Sequence, residues 1–167
     1  MIVIVFGVSG AGKTAVSELL GRNLGWRFIE ADDFHPAANI EKMCSGHPLT
    51  DNDRWPWLDR LREQIERSLA AKEDAVLACS ALKRVYRDRL RVSDEVKFVF
   101  LRGDYSLIEK QLRSRRGHFM NLALLQSQFD DLEEPQPDEN VLTIELGRTP
   151  EEILERIEAK LNLANSG

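Results

Sequence analysis

Five β-branched or aromatic residues, Ile2 through Phe6, run directly into Gly7-Val8-Ser9-Gly10-Ala11-Gly12-Lys13-Thr14. No position of the first run is polar, which suits a strand covered on both faces rather than one with a wet side. Beyond the glycines, residues 13–24 carry Val16, Leu19, Leu20 and Leu24 at the spacing of one helix face. A buried strand, a glycine-rich turn and an amphipathic helix in that order fit the pattern GxxxxGK[ST] in its proper setting. Glycine lets the backbone curl until successive N–H groups point inward at one anion, and the helix amino terminus adds the positive end of its dipole. Residues Gly7, Val8, Ser9, Gly10, Ala11, Gly12, Lys13 and Thr14 are therefore expected to bind ATP. Lys13 reaches the β- and γ-phosphates, and Thr14 offers its hydroxyl to Mg²⁺.

The rest of the chain alternates in the same way. Strands are predicted at 26–30, 75–79, 96–101 and 141–146, and helices at 39–46, 82–91, about 104–115, 121–132 and 149–161. A long helix ends near Ala71, with Asp51 or Asp53 as its cap. Thr149, Pro150 and Glu152 give the last helix a cap, a proline at its first position and an acidic third position. Five strands separated by helices imply parallel pairing with right-handed crossovers. With 167 residues, one α/β domain accounts for the whole chain 1–167, with an acceptor-binding insertion at about 32–71 and a lid at about 113–132.

Charge and cysteine content narrow the partners. Lys and Arg total 23 against 28 Asp and Glu, a net charge of −5, which argues against a nucleic-acid partner. No apolar run approaches the roughly 20 residues that a membrane helix needs, and no basic segment precedes the first strand as in a signal peptide. Cys44 and Cys79 stand far apart in no metal-binding or disulfide pattern, which fits a reducing cytoplasm.

Phosphate loops serve kinases, GTPases and ATPase motors. No NKxD-type segment is present to read guanine, and the third strand ends in Ser80-Ala81-Leu82-Lys83 rather than in acidic residues. A small-molecule kinase remains the simplest class, and it needs an acceptor pocket, a base and a device that excludes water. In an open parallel sheet such a pocket lies beyond the carboxyl ends of the strands. Glu30-Ala31-Asp32-Asp33-Phe34-His35-Pro36 occupies that place after strand two, and a carboxylate there can take the proton of an attacking hydroxyl. Arg54, beside Trp55 and Trp57, and Lys83, after strand three, can meet an anionic acceptor. Arg113, Arg115 and Arg116 cluster ahead of Gly117, where a guanidinium can offset charge on the departing phosphoryl group. Lys13, Arg54, Lys83, Arg115 and Arg116 are thus expected to converge as a local excess of positive charge. A shikimate-type or nucleotide-type kinase, or a non-enzymatic ATP-binding switch, remains open on these residues alone.

Taken together, Gly7–Thr14, Asp32–Pro36 (DDFHP), Asn39–Met43 (NIEKM), Gly46–Leu58 (GHPLTDNDRWPWL), Cys79–Asp88 (CSALKRVYRD), Arg116–Phe119 (RGHF) and Leu124–Glu133 (LLQSQFDDLE) resemble the gluconokinase family. The resemblance spans nearly the whole chain. It implies phosphorylation of D-gluconate to 6-phospho-D-gluconate by ATP with Mg²⁺, and a nucleoside-monophosphate-kinase-like fold with a five-stranded parallel sheet and a lid. Dimers are common in the family, so a homodimer is admissible. By the same resemblance Asp32 is the base, His35, Arg54 and Lys83 contact the sugar acid, and Arg115 and Arg116 belong to the lid, with Arg116 in the catalytic set and Arg115 on the nucleotide. Thr50 stands where many members have Asn, and Asn121 where some have Pro.

Overall fold

The computed structural model describes residues 1–114 and 122–163. Its sheet has five strands in the order β2-β3-β1-β4-β5: β1 Ile2–Phe6, β2 Arg27–Glu30, β3 Ala75–Cys79, β4 Val96–Arg102 and β5 Val141–Glu145. Every pairing is parallel. Ile4 of β1, for example, stands opposite Leu77 on one side and Phe98 on the other. The continuous apolar runs read from the sequence have the expected consequence: all five residues of β1 and of β3 are buried.

Helices cover both faces because the central strands β1 and β3 are apolar on both. Ile2, Ile4 and Phe6 pack with Trp57, Leu58, Leu61 and Ile65 of α3 (Asp51–Ala70) and with Tyr86 and Leu90 of α4 (Arg84–Leu90). On the opposite face, Val3 and Val5 meet Val16 and Leu20 of α1 (Lys13–Leu24), together with Ile108 and Leu112 of α5 (Tyr105–Ser114) and Ile153, Leu154 and Ile157 of α7 (Pro150–Leu161). Two more helices, α2 (Ala37–Cys44) and α6 (Leu122–Asp131), stand over the carboxyl edge of the sheet. That edge holds the switch point of the topology. The chain leaves β1 toward β2 on one side and returns from β3 past β1 to β4 on the other, which opens a crevice beyond β1 and β3.

Helix ends follow the sequence with one correction. Gly25 ends α1 in the left-handed conformation, and Thr149 caps α7 by accepting from Glu152 N–H at 3.2 Å. The long helix α3 is capped by Thr50 rather than by Asp51 or Asp53. Thr50 Oγ1 accepts from Asp53 N–H, while Asp53 Oδ2 accepts from Thr50 N–H at 2.8 Å, a reciprocal capping box. Asp53 Oδ2 also accepts from Lys42 Nζ at 2.6 Å, tying α2 to α3, and this cation together with the Thr50 contacts brings the Asp53 pKa down to about 2.

Among the described residues one ion pair lies wholly inside. Arg87 and Glu139 have side chains 0% and 2% exposed and meet through two bonds, Nε to Oε1 at 2.8 Å and Nη2 to Oε2 at 3.1 Å. The remaining guanidinium hydrogens go to backbone carbonyls of Ala81, Leu82 and Glu133, and the cation lies 5.1 Å from the Phe6 ring centre. Burial works to raise the Glu139 pKa, and the Arg87 cation with the Gln136 N–H overrides it, so the carboxyl sits below its ordinary value. This pair fixes the loop after β3 against the segment after α6.

Two consequences are measurable. Removing one partner of a fully buried pair strands the other, so Arg87→Met alone should cost about 3–5 kcal/mol of stability. Pairing it with Glu139→Leu should restore most of that in urea denaturation. Asp53, with its folded pKa depressed below the ordinary 3.8, adds stability above that value that is lost as pH falls toward about 2. The melting temperature gap between the parent and Asp53→Asn should therefore close as pH is lowered across that range.

Candidate active site

The loop between β1 and α1 curls as its glycines permit. Gly10 and Gly12 have φ of 83° and 91°, in the left-handed region. A Cβ on Gly10 would also stand 2.6 Å from Leu112 Cγ, so α5 packs against the loop at a distance only glycine allows. Lys13 Nζ donates to the Gly7 and Val8 carbonyls at 2.9 and 3.2 Å, which holds the ammonium over the loop's mouth. Ser9 N–H donates to Gln128 Oε1 of α6 at 2.6 Å.

Thr14 Oγ1 donates to Glu30 Oε2 at 2.6 Å. Glu30 ends β2, and its other oxygen accepts from Asp32 N–H, opening the short 3₁₀ turn Ala31–Phe34. Burial raises the Glu30 pKa, with the negative charge of Asp32 adding to it, and the Thr14 hydroxyl and the Lys13 cation act against that rise. A hydroxyl and a carboxylate meeting beside a phosphate loop are hard oxygen donors, the set that Mg²⁺ takes when phosphates and water complete its shell. Among the described residues no cluster of three or more His, Cys, Asp or Glu is arranged for a metal, so the donor set does not suit an all-protein site of the zinc or calcium kind.

A pocket opens next to the loop, lined by Ser9, Lys13, Asp32, His35, Met43, Leu49, Arg54, Trp57, Ser80, Leu124 and Gln128, among others. Asp32 stands exposed at its mouth, with Oδ1 3.9 Å from His35 Nε2. His35 is buried and stacks on Trp57 with ring centres 4.3 Å apart at 14°. Burial lowers its pKa, the Asp32 charge opposes this, and the Arg54 cation adds to it, so the balance favours the neutral imidazole. Trp57 is held in turn by Nε1 donating to the Ala31 carbonyl at 2.7 Å. The tryptophan thus both fills the core and walls the pocket.

Arg54 reaches the pocket wall with company. Its Nη1 donates to Tyr86 Oη at 2.8 Å and its Nη2 to Asp131 Oδ2 at 3.1 Å. Lys83 is not among the described lining residues. Its Nζ bonds Asp51 Oδ1 at 2.9 Å, and the Tyr86 hydroxyl donates to the same oxygen. The Asp51 pKa is held down first by Tyr86 and then by Lys83, while the Lys83 pKa is raised by Asp51. The expected excess of positive charge therefore needs correction among the described residues: Arg54 arrives with Asp131, and Lys83 with Asp51. Arg115 and Arg116 lie outside the described residues.

Several participants escaped sequence reasoning. Glu30 was read as the end of a strand, although its place two residues before Asp32 at a sheet edge was a signal. Asn39, Asp51 and Tyr86 come to the site from three helices and Gln128 and Asp131 from a fourth, and local spacing carries no trace of that meeting.

The AAA domain family matches residues 2–135. The gluconokinase of Gluconobacter oxydans is 46% identical over 160 residues, covering 93% of this chain and 88% of the relative. Among solved structures, a sugar kinase from a Janibacter species superposes with a TM-score of 0.93 at 43% identity, over 99% of this chain and 96% of the other. A gluconokinase from Sinorhizobium meliloti gives 0.83 at 42%, over 96% and 94%. Shikimate kinase from Aquifex aeolicus, at 14% identity and a TM-score of 0.67 over 97% and 96%, shares the fold alone. The architecture is that of a small P-loop kinase, and the chain belongs to the gluconokinase family.

Proposed function

We propose that the protein transfers the γ-phosphoryl group of ATP to the 6-hydroxyl of D-gluconate, giving ADP and 6-phospho-D-gluconate. The observation that carries this reading is one pocket in which the phosphate loop, Asp32, His35 and Arg54 share a wall. The relatives named gluconokinases supply the acceptor. A linear polyol ending in a carboxylate suits that wall, with Arg54 for the carboxylate and His35, Asp32 and Ser80 for hydroxyls.

The loop N–H groups and Lys13 hold the phosphates and stabilise charge as it spreads over the transferring group. Asp32, exposed and within reach of the pocket, orients the acceptor hydroxyl and takes its proton as the new O–P bond forms and the bond to the β-phosphate oxygen breaks. The leaving electron pair stays on ADP. His35 and Trp57 dry one side of the pocket, which favours transfer to the sugar acid over water. Thr14, with Glu30 behind it, would hold Mg²⁺, which when bound neutralises phosphate charge. Lys83 acts through Asp51 and Tyr86 on the acceptor side. By the family resemblance Arg115 and Arg116 are assigned to the lid, Arg115 on the nucleotide and Arg116 at the departing phosphoryl group. The acceptor segment is 32–71. We place the reaction in the cytoplasm, a reading supported by the free thiols of Cys44 and Cys79. No described helix is long and apolar enough to cross a membrane.

The deciding experiment is ADP release measured with gluconate, shikimate, a nucleoside monophosphate and an aldonate lacking its terminal hydroxyl. Turnover is expected with gluconate and absent with the last, and turnover with shikimate or the nucleotide in its place would overturn the assignment. Asp32→Ala should reduce kcat by about 10²–10⁴-fold with ATP binding retained in calorimetry. Near-parent turnover would remove Asp32 from the role of base.

A further inference from the structure

Asn39 lies buried in α2, at 5% exposure, with its amide nitrogen between two partners. Its Nδ2 is 2.9 Å from the Asp53 backbone carbonyl and 3.2 Å from His35 Nδ1. A carbonyl oxygen can only accept, so the NH₂ side of the amide must face Asp53. Its second hydrogen is then directed at His35 Nδ1, which must present a lone pair. An imidazole that is neutral and accepts at Nδ1 carries its proton on Nε2.

The surroundings enforce neutrality. The ring is buried, stacked on Trp57, and faced by the Asp32 carboxylate and the Arg54 guanidinium, and burial leads the lowering of its pKa. The protonated Nε2 is the edge turned toward Asp32, 3.9 Å away, on the pocket side.

We propose that Asn39 is a positioning residue that locks His35 in the Nε2–H tautomer, so that His35 serves the reaction as a hydrogen-bond donor to an acceptor hydroxyl and not as its base. A hydroxyl that accepts from His35 turns its own proton away from the imidazole and toward Asp32. The carbonyl of Asp53, which is not among the residues lining the pocket, thereby selects which of two neighbouring groups receives the proton. The functional half of this inference rests on the acceptor chemistry proposed above; the tautomer does not.

The test begins on the unaltered protein. Long-range ¹H–¹⁵N correlation of the imidazoles at neutral pH, with His35 assigned through His35→Gln, should show Nε2 protonated and Nδ1 bare. A Nδ1–H form or a doubly protonated ring would overturn the proposal. In Asn39→Asp the carboxylate can only accept, so the signal should move to the Nδ1–H form. The kcat/KM for gluconate should drop by about 10–100-fold, with the KM for ATP within about twofold. Equal loss of ATP and gluconate use in a folded Asn39→Asp protein would mean a purely structural asparagine and overturn the proposal. A pure Nε2–H signal in a parent protein that ignores gluconate would uphold the lock and overturn the acceptor assignment.

Discussion

Burying β1 on both faces and along both edges is the constraint from which the rest follows. A strand with β3 on one side and β4 on the other has no free backbone groups within the sheet, and apolar residues on both faces demand a helix layer above and below. Parallel pairing then sends every connection out of the same edge. The phosphate loop after β1, the acidic turn after β2 and the Ser80–Lys83 segment after β3 meet there because they have nowhere else to emerge. Chemistry at this edge is a by-product of topology, and residue types at the three strand ends decide which chemistry it is.

Polar groups at the edge are arranged more tightly than their charges suggest. Lys13, Thr14, Arg54 and Lys83 each have a defined oxygen partner: Lys13 finds its own within the phosphate loop, whereas Thr14, Arg54 and Lys83 take theirs from other elements. Such pairing lowers the net field of the pocket while fixing the direction of each donor. For a substrate rich in hydroxyls, direction matters more than total charge, because a misplaced donor leaves a buried group unpaired. Asp32 stands apart from this pattern as a carboxylate open to solvent at the mouth of the pocket.

Much of this was legible from the chain alone. Continuous apolar runs announced β1 and β3, short β-branched and aromatic stretches announced the other strands, and helix periodicity announced the helices, because these signals are local. The cap of α3 was misread for an instructive reason. Asp51, Asp53 and Thr50 are all competent caps, and the choice depended on Lys42, whose bond to Asp53 favours a third-position role that sequence spacing cannot reveal. Lys83 was expected to meet the acceptor, and its pairing with Asp51 across α3 and α4 is a tertiary fact that spacing does not carry. Arg87 read as one more member of a basic helix, yet it is the most completely buried charge described, and only the fold brings Glu139 to it. What failed to show in the sequence was pairing between distant segments, never the character of a segment.

The bond from Ser9 N–H to Gln128 Oε1 joins residues 119 apart. A backbone N–H serves one strong acceptor at a time, so an anion that seats itself on Ser9 must evict the glutamine oxygen. Occupancy of the loop and the resting place of α6 are in that sense linked equilibria. By reciprocity, whatever holds Gln128 against the loop weakens anion binding by the same factor that anion binding loosens Gln128. That one hydrogen bond is where the phosphate loop and a helix that walls the acceptor pocket meet.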